Sequence, residues 1–169
     1  EIGKNISVDV PIVGDVKQVL TSLNDLVSED VHPEWIRRID QLKEEHPSLN
    51  LPETDKLLAR QVIKDLSEFT DGQATIVTGV GQHQMWAAQH YRFKKPCTLL
   101  TSGGSGTMGY EVPAAMGAQV ADPDSVVWSI AGDGGFQMTL CELATIAENK
   151  LPVKFALLNN GFLGMVRQW

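Results

Sequence analysis

The chain lacks several features that mark common classes of protein. It contains only two cysteines, Cys97 and Cys141, and neither belongs to a C-x-x-C pair or a His-rich stretch, so zinc and thioredoxin chemistry are not expected. We predict that both are buried free thiols in a reducing, cytoplasmic setting. No apolar run approaches the roughly 18 residues of a membrane span, and no charged and apolar leader opens the chain. We therefore expect no membrane partner.

Basic charge is scarce as well. Fourteen lysines and arginines stand against 21 aspartates and glutamates, which gives a formal net charge of −7 with no basic cluster. This balance argues against a nucleic-acid partner. A P-loop with a Lys-Ser/Thr ending, a Ser-His-Asp arrangement and a paired-carboxylate site are also missing. An acidic protein of this kind needs a metal ion or the N–H groups of helix starts to bind an anionic ligand.

The 169 residues, with 43% hydrophobic content, fit one globular domain or one domain and a piece of another. Near the start, an apolar stripe predicts a buried helical face, and a second helix is predicted to begin near Pro33. The residues of the stripe are Val16, Val19, Leu20, Leu23, Leu26 and Val27. The polar stretch 46–53, with its two prolines, is predicted to be a linker between a first domain, residues 1–45, and a second domain, residues 54–169.

The second domain repeats strands, glycine turns and helices. After a helix over Leu58–Phe69, the predicted strands are Ala74–Thr78, Thr98–Thr101, Ser125–Ile130 and Val153–Leu158, and the predicted helices are Gln82–Tyr91, Tyr110–Val120 and Gln137–Glu148. This alternation predicts an α/β fold with a parallel sheet flanked by helices. A new helical pattern starts at Leu163 and the chain stops at Trp169. We expect a piece of a longer protein, and organelle targeting of that protein stays open.

One aspartate stands out because glycines flank it and two amides follow it. Asp133 lies between Gly132 and Gly134, and Asn159-Asn160 follows after one predicted helix and one predicted strand. The pattern places Asp133 and Asn160 at the carboxyl ends of two successive parallel strands, where open sheets bind ligands. Neighbouring strands are about 5 Å apart, so a carboxylate and an amide carbonyl can share a hard cation such as Mg²⁺. We predict that this cation would hold the phosphates of a ligand.

Another glycine turn permits a different cofactor. Gly104, Gly106 and Gly109 satisfy G-x-G-x-x-G between a predicted strand and a predicted helix, and Asp133 follows at about the distance expected for the acidic residue of a dinucleotide-binding motif. Binding of a nicotinamide dinucleotide is therefore a rival hypothesis. It gives no role to Asn160. It also leaves unused the turn before Gln82, whose N–H groups at a helix start could bind phosphate.

Three segments carry a resemblance to a known family. They are Thr78–Gln89 (TGVGQHQMWAAQ), Ser102–Tyr110 (SGGSGTMGY) and Leu158–Trp169 (LNNGFLGMVRQW). Together with the Asp133 and Asn160 pattern, they resemble the thiamine-diphosphate enzymes and, within them, the acetohydroxyacid synthases, also called acetolactate synthases. The resemblance implies a thiamine-diphosphate-binding fold in residues 54–169, truncated at its C-terminus. It also implies that residues 1–45 are the end of a Rossmann-like, FAD-contacting central domain.

The resemblance implies roles for individual residues. Asp133, Asn160 and the carbonyl group of Phe162 match the Mg²⁺ ligands. Thiamine diphosphate would be contacted by Val80, Gly81, Gln82, His83, Gly106, Met108, Gly132, Gly134, Gly135 and Met138, with Met138 supporting the bent shape of the cofactor. The residues Met165, Val166 and Trp169 match the substrate channel, and Gly14 and Asp15 match neighbours of FAD.

The implied reaction decarboxylates pyruvate and joins the product to a second 2-ketoacid, pyruvate or 2-ketobutyrate, at the start of branched-chain amino-acid synthesis. The implied partners are these small ketoacids, further catalytic subunits in a homodimer or homotetramer, and a regulatory small subunit. A glyoxylate carboligase or another enzyme of the family is the alternative. The family's activating glutamate lies in an N-terminal domain without a counterpart in this chain, so no catalytic residue is assigned and the chain alone is predicted to be inactive. Glu111 departs from the family, which has a small residue there; its carboxylate is expected to change local packing or to face solvent.

Overall fold

The structure is a computed structural model that describes residues 2–47 and 49–169. Contacts within the chain divide it into two compact units, Glu1–Ser48 and Leu49–Trp169. Glu1, at the start of the predicted FAD-contacting segment, and Ser48, inside the predicted linker, lie outside the described residues. In the described part of the chain, no helix is long and apolar enough to cross a bilayer.

The first unit contains two helices, α1 (Val16–Asn24) and α2 (Pro33–Glu45). Asp15 caps α1, since its Oδ1 accepts a hydrogen bond of 3.1 Å from the N–H of Gln18, and proline occupies the first position of α2. The expectation of a buried stripe on the first helix is wrong: none of the residues of α1 is buried, and Val16 is 69% exposed. The helix ends before Leu26 and Val27, and the first unit contains no strand in its described residues against which the stripe could pack.

The second unit is an α/β domain, which confirms the predicted fold class. Its four strands form one fully parallel sheet in the order β2-β1-β3-β4. They are β1 (Thr75–Thr78), β2 (Leu99–Thr101), β3 (Val127–Gly132) and β4 (Lys154–Leu158). The helices are α3 (Ala59–Phe69), α4 (Gln82–His90), α5 (Glu111–Ala121), α6 (Asp133–Met138), α7 (Glu142–Glu148) and α8 (Gly164–Gln168).

The two faces of the sheet bury separate apolar clusters. Ile76 and Ile130 project to one face, where they pack with Ile63 of α3 and Ala87 of α4. On the other face, Val77 and Val127 pack against α5. Burial on both faces explains why β3 has a single polar residue, Ser129, and why β1 has threonine only at its two ends. Because all four strands are parallel, their carboxyl ends meet at one edge, where β3 and β4 end opposite each other.

Two details of the second unit differ from the sequence predictions. The helix predicted over Gln137–Glu148 is two helices, because α6 begins directly at Asp133 and ends at Met138, and a short connection precedes α7. Both cysteines are free, as predicted, but they are exposed rather than buried. Cys97 lies in a turn with a φ of 59° just before β2, and Cys141 lies just before α7, so each lies outside the packed faces of the sheet.

Candidate functional site

A cleft opens at the carboxyl ends of β1, β3 and β4, between the starts of α4, α6 and α8. It brings together most of the residues that the sequence assigned to cofactor, metal or substrate. Those that line it are Val80, Gly81, Gln82, His83, Met108, Gly132, Asp133, Gly134, Gly135, Asn160, Phe162, Met165 and Val166. Segments far apart in the sequence therefore meet at one place.

Asp133 and Asn160 are neighbours in this cleft. Asp133 is the first residue of α6, directly after β3, and Asn160 follows the adjacent strand β4. Gly132 pairs with Leu158 in the sheet, and the backbone N of Asn160 lies 3.5 Å from Oδ1 of Asp133. The carboxylate is thus held at the loop that carries the two amides, as the predicted placement at adjacent strand ends requires.

Two successive turns shape the loop after β4. The N–H of Gly161 donates to Oδ1 of Asn159, and the N–H of Phe162 donates to Oδ1 of Asn160, each over 3.1 Å. Side-chain amides that bond the backbone two residues ahead are typical of Asx turns. Gly161 has a φ of 72°, a conformation that favours glycine. At the rim of the loop, the guanidinium of Arg167 lies 4.4 Å from the centre of the Phe162 ring. These hydrogen bonds and the Arg167–Phe162 contact therefore give the loop a defined conformation.

His83 lies under the cleft in a neutral state. Its side chain is buried, with the residue 7% exposed, and an added Cβ on Gly132 would be only 2.9 Å from two atoms of its ring. Burial lowers the pKa of His83 to about 4, and the nearby Asp133 carboxylate opposes this shift only in part. Among the described residues, Nε2 of His83 has no hydrogen-bond partner. An unpaired buried nitrogen in a cleft is available to a ligand.

The start of α4 provides the opposite wall. Gly81 has a φ of 145° and a ψ of −161°, which only glycine adopts readily, so the chain turns sharply from β1 into the helix. The side chain of Gln82 does not project freely into the cleft: its Nε2 donates to Oε1 of Gln168 over 3.0 Å. A Cβ on Gly164 would lie 2.3 Å from Oε1 of Gln82. Gln82 thus links α4 to α8 across one side of the cleft.

The charges of the cleft restrict what it can bind. Asp133 is the only Asp, Glu, Lys or Arg in its lining, so no cationic side chain of the lining can neutralise an anionic ligand. In residues 2–47 and 49–169, no three or more His, Cys, Asp and Glu side chains are grouped so that they could hold a metal ion by themselves. A cation here would therefore use one carboxylate, amide and backbone oxygens, and oxygens of the ligand itself. That donor set suits Mg²⁺ bound together with phosphates.

Several predicted site residues lie outside the lining. Gly106 is exposed in the loop after β2, together with most of the G-x-G-x-x-G pattern, of which no glycine lines the cleft. Met138 is 59% exposed, although its Cβ would be 3.0 Å from a Cβ on Gly109. Trp169 is 94% exposed at the end of α8. Gly14 and Asp15 belong to the first unit, where Asp15 caps α1.

The sequence predictions missed four residues that line the cleft. They are Trp86, Leu158, Leu163 and Gly164. Trp86 follows Gln82 by four residues in α4, so helical periodicity could have placed it on the same side of that helix. Leu158 ends β4 directly before the two asparagines. The side chains of Trp86, Leu158 and Leu163 add an apolar wall beside the polar groups, as in most sites for small molecules.

Comparison with known proteins identifies the fold and its cofactor class. Residues 79–169 match the family described as "Thiamine pyrophosphate enzyme, C-terminal TPP binding domain". The whole chain is 50% identical to an acetolactate synthase of Mycobacterium leprae, and it covers 28% of that protein. It is 46% identical to an acetolactate synthase large subunit of Lactococcus lactis and 47% identical to a chloroplastic acetolactate synthase of Arabidopsis thaliana, covering 30% and 26% of their lengths. The chain belongs to the thiamine pyrophosphate enzymes.

Proposed function

We propose that the protein carrying this chain is the catalytic subunit of an acetohydroxyacid synthase, a thiamine-diphosphate-dependent transferase. It would decarboxylate pyruvate and join the remaining two-carbon unit to a second 2-ketoacid, pyruvate or 2-ketobutyrate. The similarity to acetolactate synthases extends over the full chain, with 46 to 51% identity among the relatives compared. The chain spans less than a third of those relatives, so the activity belongs to the larger protein.

The observation that carries the proposal is the approach of Asp133 to Asn160. The carboxylate after β3 and the amide loop after β4 are 3.5 Å apart, and they lie in one cleft with the start of α4. Asp133, the side chain of Asn160 and the carbonyl group of Phe162 would hold Mg²⁺, whose remaining ligands would be diphosphate oxygens and water. Mg²⁺ would neutralise and position the diphosphate in a cleft that has no cationic side chain in its lining.

The other residues would bind and orient the cofactor. The turn at Val80, Gly81 and the first residues of α4 would receive the diphosphate on its N–H groups, and neutral His83 would offer one ring nitrogen as a hydrogen-bond partner. The loop with Gly106 and Met108 would hold the aminopyrimidine, with Met138 beside it at Gly109. Thiamine diphosphate supplies the electron sink for the decarboxylation.

The substrate side would be formed by α8 and its neighbours. Met165 and Val166 line the cleft, and their apolar side chains would exclude water from the reacting carbon. Trp169 would complete this channel. In the first unit, Gly14 and Asp15 would be neighbours of FAD, as expected for the end of the family's central domain. A dimer or tetramer of catalytic subunits and a regulatory small subunit complete the proposal.

The cofactor can be tested by titration calorimetry on the full gene product. Thiamine diphosphate with Mg²⁺ should bind, and NAD should not, since the G-x-G-x-x-G glycines lie outside the cleft lining. Asp133→Asn should weaken binding of thiamine diphosphate with Mg²⁺ by about tenfold or more, because a lost ligand group costs at least as much as a lost outer-shell partner. The matched control is Asp124→Asn, an exposed aspartate in the turn before β3, which should bind like the wild type. Equal affinity of the two variants would contradict the assignment of Asp133.

The reaction needs its own assay. Acetolactate should form from pyruvate, and acetohydroxybutyrate should form when 2-ketobutyrate is added. Product formation from glyoxylate instead would favour a glyoxylate carboligase. Flavin absorbance of the purified protein tests the FAD assignment. The 169-residue chain alone should be inactive because it has no counterpart of the family's activating glutamate, and measurable acetolactate from it would overturn that expectation.

A further inference from the structure

Glu111 is a buried acid that the proposed chemistry does not use. It is the first residue of α5, and its exposed fraction is 0%. Among the described residues, no donor makes a hydrogen bond of good geometry to either carboxylate oxygen, although the N–H groups of Glu111 itself and of Gly109 act on the carboxyl group. A buried charged group without a partner is strongly unfavourable, so this side chain calls for a physical explanation.

The carboxyl group of Glu111 lies between two glycines of different segments, one after β1 and one in α6. A Cβ on Gly79, directly after β1, would lie 2.3 Å from Oε2, and a Cβ on Gly135, in the first turn of α6, would lie 2.5 Å from Oε1. Gly79 leads into the proposed diphosphate turn, and Gly135 follows the proposed metal ligand Asp133 by two residues. One side chain therefore fills the space between the supports of both turns.

The helices and strands packed most closely against α5 carry no cationic side chain. The elements packed against α5 are β1, β3, α6 and α7, and their only Asp, Glu, Lys, Arg or His residues are Asp133, Glu142 and Glu148. Burial raises the pKa of Glu111, while the N–H groups of Glu111 itself and of Gly109 oppose that shift without reversing it. The side-chain charges on these elements are all negative, so only backbone N–H groups favour an ionised Glu111, and they do not outweigh its burial.

We propose that Glu111 is a positioning residue, an uncharged carboxylic acid that sets the separation between the diphosphate turn at Gly79–Gln82 and the metal turn at Asp133–Gly135. Its shape keeps the two turns apart, and its lack of charge keeps a second negative group away from the phosphates. The role in cofactor binding depends on the proposed function. The uncharged state of Glu111 does not, and it can be tested without any cofactor.

The first experiment compares the thermal unfolding midpoints of the wild type and Glu111→Gln in the full gene product without cofactor. Glutamine has the size of glutamic acid but cannot ionise. The folded-state pKa of Glu111 lies above the value of the unfolded chain, so the wild type loses stability as the pH rises from that value to the folded-state pKa. The variant should therefore unfold at a higher temperature than the wild type near neutral pH, and the difference should shrink as the pH falls towards about 4.

The control for the first experiment is Glu142→Gln, since Glu142 also lies in the first turn of a helix but is only half-buried. It should leave the midpoint almost unchanged at both pH values. A Glu111→Gln midpoint equal to or below that of the wild type at neutral pH would overturn the uncharged state. A gain in midpoint that does not change with pH, or one that stops growing before the pH reaches 7, would overturn it too.

The second experiment measures the affinity for thiamine diphosphate with Mg²⁺ by calorimetry. Glu111→Gln should keep the wild-type affinity within about threefold, and Glu111→Ala, which removes the spacer, should lose about tenfold or more. Equal losses in both variants, or wild-type affinity in Glu111→Ala, would overturn the positioning role. If Glu111→Ala does not fold, a loss of affinity in Glu111→Gln still overturns it. Failure of the wild type to bind the cofactor would instead refute the proposed function, while the stability comparison would still decide the charge of Glu111.

Discussion

Replacement of Gly79 by alanine tests the packing around Glu111 directly. The added Cβ would lie 2.3 Å from Oε2, 2.5 Å from Cδ and 2.7 Å from Oε1 of Glu111, well inside van der Waals contact. Glu111 cannot swing into solvent because it is fully buried, and Gly135 blocks its other side. Gly79 has no positive φ, so backbone strain does not enter the comparison.

The size of the effect follows from two opposing terms. Overpacking of a core costs about 1–3 kcal/mol, and replacing glycine by alanine returns about 0.4–1 kcal/mol by restricting the unfolded chain. We expect Gly79→Ala to lose about 1–2 kcal/mol in the free energy of unfolding. The matched control is Gly117→Ala in α5, where a Cβ meets nothing within 4 Å. It should gain about 0.5–1 kcal/mol.

Urea unfolding of the full gene product, followed by tryptophan fluorescence, measures both variants. A double variant, Gly79→Ala with Glu111→Ala, completes the cycle: if the two side chains collide, its loss should be smaller than the sum of the single losses by about 1 kcal/mol or more. Strict additivity, or a gain for Gly79→Ala like that of Gly117→Ala, would refute the packing argument.

Three further outcomes follow from the structure. Burial lowers the pKa of His83 from 6.5 to about 4, so between these pH values the folded protein binds fewer protons than the unfolded chain. The contribution of His83 to the free energy of unfolding should therefore be complete above about pH 6.5 and fall by up to about 3 kcal/mol near pH 4. Urea unfolding of His83→Gln should lack this loss. Tyr91→Phe removes an OH group that forms a hydrogen bond with the Thr70 hydroxyl at 2.7 Å and accepts one from the N–H of Ala74 at 3.2 Å. The variant should lose about 1–3 kcal/mol in the free energy of unfolding, so its thermal midpoint should fall. Gly161→Ala places a residue with a side chain at a φ of 72°, which costs about 1–2 kcal/mol of backbone strain. Calorimetry should then show weaker binding of thiamine diphosphate with Mg²⁺.

The sequence was sufficient to predict the parallel sheet and the proximity of Asp133 to Asn160. Strands that alternate with helices must run parallel to form one sheet with short connections, and the residues after such strands then meet at one edge. Local patterns failed at α6. Gly132 to Gly134 were predicted to form a turn before a helix that starts at Gln137, since glycine readily adopts the conformations of a turn, yet Gly134 and Gly135 lie within α6. A Cβ on Gly134 would be 2.9 Å from Leu163, and one on Gly135 would meet Glu111, so close tertiary packing selects glycine there.

The burial of Glu111 is a second feature that the local sequence pattern did not predict. An acidic residue in the first turn of a helix is favoured by the helix dipole, and the sequence pattern alone is satisfied by an exposed carboxylate. Its burial depends on how α5 packs against β1 and β3, which the local sequence around Glu111 does not specify. The exposed stripe of α1 is a similar case, since the sequence identifies an apolar face but not the surface that would cover it.

The charge states around the cleft form a consistent set. His83 is neutral because it is buried, and Glu111, by the proposal above, carries no charge, so Asp133 alone contributes a full charge at the place where β3 and β4 end. A divalent cation bound to that carboxylate, as proposed, would leave a net positive charge facing the diphosphate, whereas an ionised Glu111 would cancel it. Burial of an uncharged acid beneath two glycine turns would thus preserve the attraction that a cleft without lysine or arginine in its lining can obtain only from a metal ion and backbone N–H groups.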